Sequence, residues 1–146
     1  MIRHAKLRDL DTLLVIEERC FAKRLRLSRR SFRRFLKSET AAVLIAVNTF
    51  ALGYAIVAFR RGSFVSRLYS IAVDPRVRGR GIGKELLRDA EQFAKYGHFS
   101  DAMRLEVSVR NRPAIAMYEK SGYHRIGRHR AYYPDDIDAW RMQKAL

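Results

Sequence analysis

Residues 78 to 84 read Arg-Gly-Arg-Gly-Ile-Gly-Lys, with a glycine at every second position and cations on either side. Glycine lets a backbone come close to a ligand, and a helix start offers unpaired N–H groups at its positive dipole end. Arginine and lysine add charge, so the residue types describe a cradle for phosphate. Two nucleotide motifs fail here. A P-loop needs glycine where Arg78 stands and Ser or Thr where Glu85 follows Lys84. A dinucleotide fingerprint needs G-x-G-x-x-G, whereas Gly79, Gly81 and Gly83 are evenly spaced. What remains is R-x-x-G-x-G from Arg78 to Gly83.

Such a turn works only if flanking elements hold it. Upstream, the uncharged LYSIAV (68–73) reads as the end of a strand spanning Phe64–Val73. Downstream, Ile82, Leu86, Leu87, Ala90, Phe93 and Ala94 recur at helical spacing, with Lys84, Glu85, Arg88, Asp89 and Glu91 expected on the other side. This predicts a helix over Gly81–Tyr96, stopped near Gly97. The rest reads as a strand (Ile2–Ala5), helices (Asp9–Phe21 and Ser28–Lys37), a hairpin (Ala41–Val47, Ala51–Phe59) and a strand (Met103–Val109). A helix (Pro113–Ser121) and two final strands around YYPDD close the chain. Asn111 suits the cap of that last helix, Pro113 its first turn and Gly122 its exit. Interleaved strands and helices imply an α/β protein with helices on the faces of a mixed sheet. No linker or repeat divides residues 1–146, so one domain is expected.

Composition narrows the partners. The formal net charge is +15 over 146 residues, a field that favours anionic partners. Arg19–Ser38 alone carries nine Lys/Arg and no acid. It disfavours polyamine substrates and invites an acidic peptide or RNA surface. One cysteine, Cys20, excludes an internal disulfide and fits a reducing, cytoplasmic setting. The four histidines lack metal-ligand spacing, so no metal is expected. MIRHAKLRDL lacks the apolar core of a signal peptide. Thr40–Phe59 is uncharged and long enough to span a bilayer, but Asn48-Thr49 interrupts it and its residues are strand formers, so a hairpin is expected rather than a membrane segment.

The turn and its neighbours LYSIAVDP and LEVSVRNRPAIAMYEKSGYHRIG resemble the GCN5-related N-acetyltransferase superfamily, closely over residues 64 to 134 and in outline elsewhere. Within it, LEV…N…AI…YE…GY…YYP looks most like the ribosomal-protein alanine N-acetyltransferases. The resemblance implies a mostly antiparallel sheet of about seven strands flanked by about four helices, splayed at a central parallel pair. It implies acetyl-CoA as cosubstrate and a protein N-terminus as acceptor, with a monomer or weak dimer expected. It assigns pyrophosphate binding to Arg78, Gly79, Arg80, Gly81, Ile82, Gly83 and Lys84. The pantetheine arm falls to Ile71, Ala72, Val73 and Asn111, with the Val73 amide as oxyanion donor.

Glu106 is implied as general base and Tyr118, twelve residues on, as general acid; Tyr132 and Tyr133 are implied to face the acceptor. Residues alone leave blander readings open. Glu106 shares a strand face with Arg104, Ser108 and Arg110 and reads equally as a surface ion pair. Tyr118 reads as core, Asn111 as a cap only, and Tyr132 and Tyr133 as a hairpin pair. A carboxylate base suits an α-amine, whose reference pKa of about 7.7–8.0 leaves a usable neutral fraction near pH 7. The rival functions are acetylation of lysine or a small amine, and a non-catalytic ribosome- or RNA-binding module on the same scaffold.

Overall fold

A computed structural model describes residues 1–146. Apolar stripes and strand formers assemble as anticipated into β1 (Ile2–His4), α1 (Leu10–Cys20), α2 (Arg29–Lys37), β2 (Ala41–Val47), β3 (Ala51–Ala58), β4 (Val65–Val73), α3 (Ile82–Gln92), β5 (Ala102–Ser108), α4 (Arg112–Lys120), β6 (His124–Tyr133) and β7 (Ile137–Ala145). All seven strands form one sheet in the order β1-β2-β3-β4-β5-β7-β6. Every neighbouring pair is antiparallel except β4 and β5. The uncharged Thr40–Phe59 run becomes the β2–β3 hairpin, its turn held by Phe50 N–H donating to Asn48 Oδ1. No helix is long and apolar enough to cross a membrane.

The parallel pair is short. Val65, Ser66 and Arg67 match Ala102, Met103 and Arg104, and there the pairing ends, although both strands continue. A bulge accompanies the parting. Ile56 lies opposite Ser70 while Val57 lies opposite Leu68, so Tyr69 is an extra residue in β4. Its effect on packing is direct. Leu68 and Ala72 are four residues apart and would share a face in a regular strand. Instead Leu68 joins the core beneath α3 and α4, and Ala72 the core beneath α1 and α2.

Those two cores fix the helices. On one face, Leu13, Ile16 and Phe32 pack over Ile45, Tyr54 and Ile56. On the other, Leu86, Leu87 and Ala90 pack over Met103, Leu105 and Met142. Each core contains a buried carboxyl tied on two sides. Glu17 of α1 accepts from Tyr54 Oη (2.5 Å) and Leu27 N–H (2.7 Å), and Tyr54 Oη also meets Ser70 Oγ at 2.9 Å beside the bulge. Burial raises both the Glu17 and Tyr54 pKa values. Glu91 corrects the expectation that it faces solvent. It is buried in α3 and accepts from Tyr123 Oη (2.7 Å) and Lys144 Nζ (2.8 Å), clamping the helix to the sheet. The helix also ends earlier than its stripe implied: regular α-turns stop at Gln92, and a wider π turn carries Phe93–Gly97.

Gly53 permits a close approach of β3 to β4 and α3. A Cβ there would sit 2.5 Å from the Ala72 carbonyl oxygen and 3.2 Å from Leu86 Cδ1. We predict that Gly53→Ala destabilises the protein by about 1–3 kcal/mol, the range for an overpacked interior. Urea unfolding would report this, and an unchanged midpoint would contradict it.

Candidate active site

The candidate site lies where β4 leaves β5. Asp74 N–H donates to Leu52 C=O, fixing the phase of the β3–β4 ladder. Ala72 therefore exchanges backbone bonds with Tyr54, while the N–H and C=O of Ile71 and Val73 face the gap. Of the three strand residues singled out in the sequence, two present backbone to the opening; Ala72 is committed to β3. The Val73 carbonyl is occupied, accepting from Cys20 Sγ at 3.3 Å and Arg78 Nε at 3.1 Å. Its N–H is the group left over.

The turn after Val73 is anchored by a residue the sequence reading passed over. Asp74 is fully buried and accepts from Arg76 side chain and backbone (2.9–3.1 Å) and from Arg19 (2.8 Å). The Arg76 guanidinium, with Arg19 helping, holds its carboxyl well below the usual aspartate range despite burial. A depressed pKa means that the clamp is complete at neutral pH and is lost only as pH falls far into acid. Asp before Pro75 is a turn-capping signal, and it was legible.

Next comes the cradle itself. Gly81 is the residue preceding α3 and has φ 82°, a left-handed conformation. No side chain caps the helix, and the first backbone bond back to Gly81 comes from Glu85. The amides of Ile82, Gly83 and Lys84 are thus free of helical partners. Arg80 and Lys84 stand exposed beside them. Gly83 has a different job: a Cβ there would touch Met117 Sδ at 3.4 Å, so it lets α3 settle against α4.

Glu106 and Tyr118 approach the gap from opposite faces. Tyr118 belongs to the core beneath α3 and α4, edge-on to Tyr123 at 5.7 Å, and no protein group hydrogen-bonds its hydroxyl. Burial, with Tyr133 nearby, pushes that hydroxyl far above the ordinary tyrosine range. Glu106 alternates with core residues Leu105 and Val107, so it faces the other way. Its side chain is only 8% exposed, with Arg67 Nε 3.1 Å from Oε2 and Arg141 Nε 3.5 Å from Oε1. The surface-pair reading was half right, since the arginines are there but the carboxylate is buried.

The tyrosines complete the rim. Two extra residues in β6 between His129 and Tyr133, with Ala131 at φ 50°, break the alternation that would send adjacent side chains to opposite faces. Both hydroxyls consequently reach the same place. Tyr132 Oη accepts from Arg67, and Tyr133 Oη donates to the Glu106 carbonyl at 3.4 Å. Burial raises both, Tyr133 to about 12. Across the mouth, Arg24 before α2 donates to Asp135 of the β6–β7 turn at 3.0 Å, linking two rims distant in sequence. Asn111 stands apart: it is exposed, and its Oδ1 caps α4 through Ala114 N–H at 3.3 Å, leaving its side-chain amide free. Grooves of about 420 and 530 Å³ lie along α3 and beside β1, away from Glu106.

A family model described as the acetyltransferase (GNAT) family matches residues 10–123. The chain belongs to that family. It is 32% identical to an N-alpha-acetyltransferase of Sulfurisphaera tokodaii, over 99% of this chain and 92% of that protein. It is 38% identical to N-alpha-acetyltransferase RimI of Mycobacterium tuberculosis, over 64% of this chain. That match spans 58% of the mycobacterial protein, and the chain likewise spans less than two thirds of other curated relatives. Among solved structures, the ribosomal-protein-S18-alanine N-acetyltransferase from Escherichia coli superposes with a TM-score of 0.89 at 27% identity, covering 100% of this chain and 93% of that one.

The residues fit the cosubstrate that the GNAT resemblance implies. Outward amides at Ile71 and Val73 can pair with an amide-containing arm, and the open helix start can take a pyrophosphate. A Cβ at Gly81 would meet nothing within 4 Å, so crowding is not what forbids larger residues there; the positive φ is. We predict that Gly81→Val weakens acetyl-CoA binding at least tenfold by calorimetry, whereas Gly127→Val, equally roomy and without positive φ, does not. Equal affinities in both variants would contradict this.

Proposed function

We propose that this chain transfers the acetyl group of acetyl-CoA to the N-terminal amine of a protein or peptide, directly and without a covalent enzyme intermediate. The observation carrying this reading is the alignment of the outward β4 edge with the uncapped start of α3. Ile71 and Val73 hold the arm, residues 78–84 hold the pyrophosphate, and the side-chain amide of Asn111 meets the arm lower down. The Val73 N–H donates to the thioester oxygen as negative charge builds there. Glu106 takes the proton of the incoming ammonium through a water, and Tyr118 gives its proton to the departing sulfur. Tyr132 and Tyr133 border the acceptor.

An N-terminal amine is favoured over lysine by acidity. Deprotonating a lysine near pH 7 costs about 3.5 kcal/mol more, at 1.36 per unit. The names of the relatives support the same choice. A ribosomal acceptor is further supported by α2, where Arg30, Arg33, Arg34 and Lys37 lie exposed while Phe32 and Phe35 face the core. Such a cationic face suits an anionic neighbour such as ribosomal RNA.

Free-thiol release with N-terminal peptides, lysine peptides, polyamines and aminoglycosides tests the acceptor class; turnover confined to the small amines would overturn it. Tyr118→Phe is expected to lower turnover at least tenfold with cofactor affinity unchanged, and unchanged turnover would remove Tyr118 from the acid role. Because burial keeps its proton in place, Tyr118 should impose no alkaline fall in wild-type rate below about pH 10, its reference value. Glu106→Gln is expected to cost more activity at pH 7 than at pH 9, where the α-amine is already neutral. A pH-independent loss would make Glu106 a positioning residue instead.

A further inference from the structure

The charge around Glu106 does not balance. Arg104 lies one step along β5 on the same face, and Gln143 and Arg141 of β7 stand opposite Arg104 and Glu106. Arg67 of β4 is registered with Arg104. This patch therefore sets three guanidiniums against one carboxylate. Arg104 spends Nε and a terminal nitrogen on the neutral Gln143 Oε1, at 3.0 and 2.8 Å, so nothing cancels its charge there. The Nε atoms of Arg67 and Arg141 are buried beside Glu106 yet make no aligned hydrogen bond. Both side chains remain about 40% exposed. The core beneath α1 and α2 takes no residue from β5, β6 or β7, so it does not extend over this face.

An ammonium group approaching Glu106 would thus meet a carboxylate already compensated on two sides and a further cation behind it. We infer that the acceptor carries an acidic side chain within its first three residues, received by Arg67, Arg104 and Arg141. Guanidiniums present planar forks that match a carboxylate, and the incoming anion offsets the repulsion felt by the amine. Asp135 at the mouth is already paired with Arg24. This rests on the N-terminal reading above and adds a selection rule to it.

The test uses the full chain with acetyl-CoA and N-terminal peptides identical except for Asp, Asn or Lys at each of residues 1 to 3. An Asp peptide is expected to exceed its Asn partner at least tenfold in kcat/KM, chiefly through KM, and the Lys peptide to fall below both. Arg104→Gln should shrink the Asp-over-Asn ratio, and Arg104→Lys should retain most of it. Equal turnover of Asp and Asn peptides, or a preference for Lys, would overturn the inference while leaving the N-terminal reading intact. Thiol release with lysine side chains or small amines but no N-terminal peptide would remove both.

Discussion

Two neighbouring strands that pair for three residues and then separate are the constraint on which this molecule depends. A sheet normally satisfies every backbone group laterally, and an exposed inner edge is a liability. Here β4 stays paired with β3 through Val73 and abandons β5 after Arg67. The extra residue at Tyr69 gives β4 the local bend that a bulge confers. It also swaps which core receives the following side chains, so Ser70 and Ala72 turn toward α1. The gap is a consequence of register, and the amides that line it come without any special side chain.

Holding such a gap open requires rigid surroundings, and buried carboxylates provide the fastening. Glu17 ties α1 and the segment before α2 to Tyr54, next to the bulge. Asp74 ties the exit of β4 to Arg19 and Arg76. Glu91 ties α3 to Tyr123 and Lys144. Each spans elements distant in sequence, and each is partnered on at least two sides, as burial of a charged or polar group demands. Glu106 differs: its arginine neighbours are close but poorly aligned and still about 40% exposed, so it is not fastened as those three are.

The sequence disclosed what depends on local pattern. The α3 stripe, the Gly-Arg turn, the cap at Asn111 and the β2–β3 hairpin were all legible because propensity, periodicity and turn chemistry act over a few residues. The resemblance added the splayed central parallel pair. Pairing across strands was not legible. Nothing in LYSIAV marks Tyr69 as an insertion, so the commitment of Ala72 to β3 could not be read. Arg67 and Arg141 lie 39 and 35 residues from Glu106 in the chain, and only register sets them beside it. Glu91 looked like a surface residue because its partners Tyr123 and Lys144 come from the loop before β6 and from β7, respectively.

Residue-resolved amide exchange with and without coenzyme A measures most directly where the phosphorylated thioester carrier lies. Slowed exchange at Ile71, Val73 and Ile82–Lys84, with Ala72 unchanged because Tyr54 already holds it, is the predicted pattern. Protection along the outer groove of α3 near Lys95 and Tyr96, with Ile71 and Val73 unaffected, would contradict it.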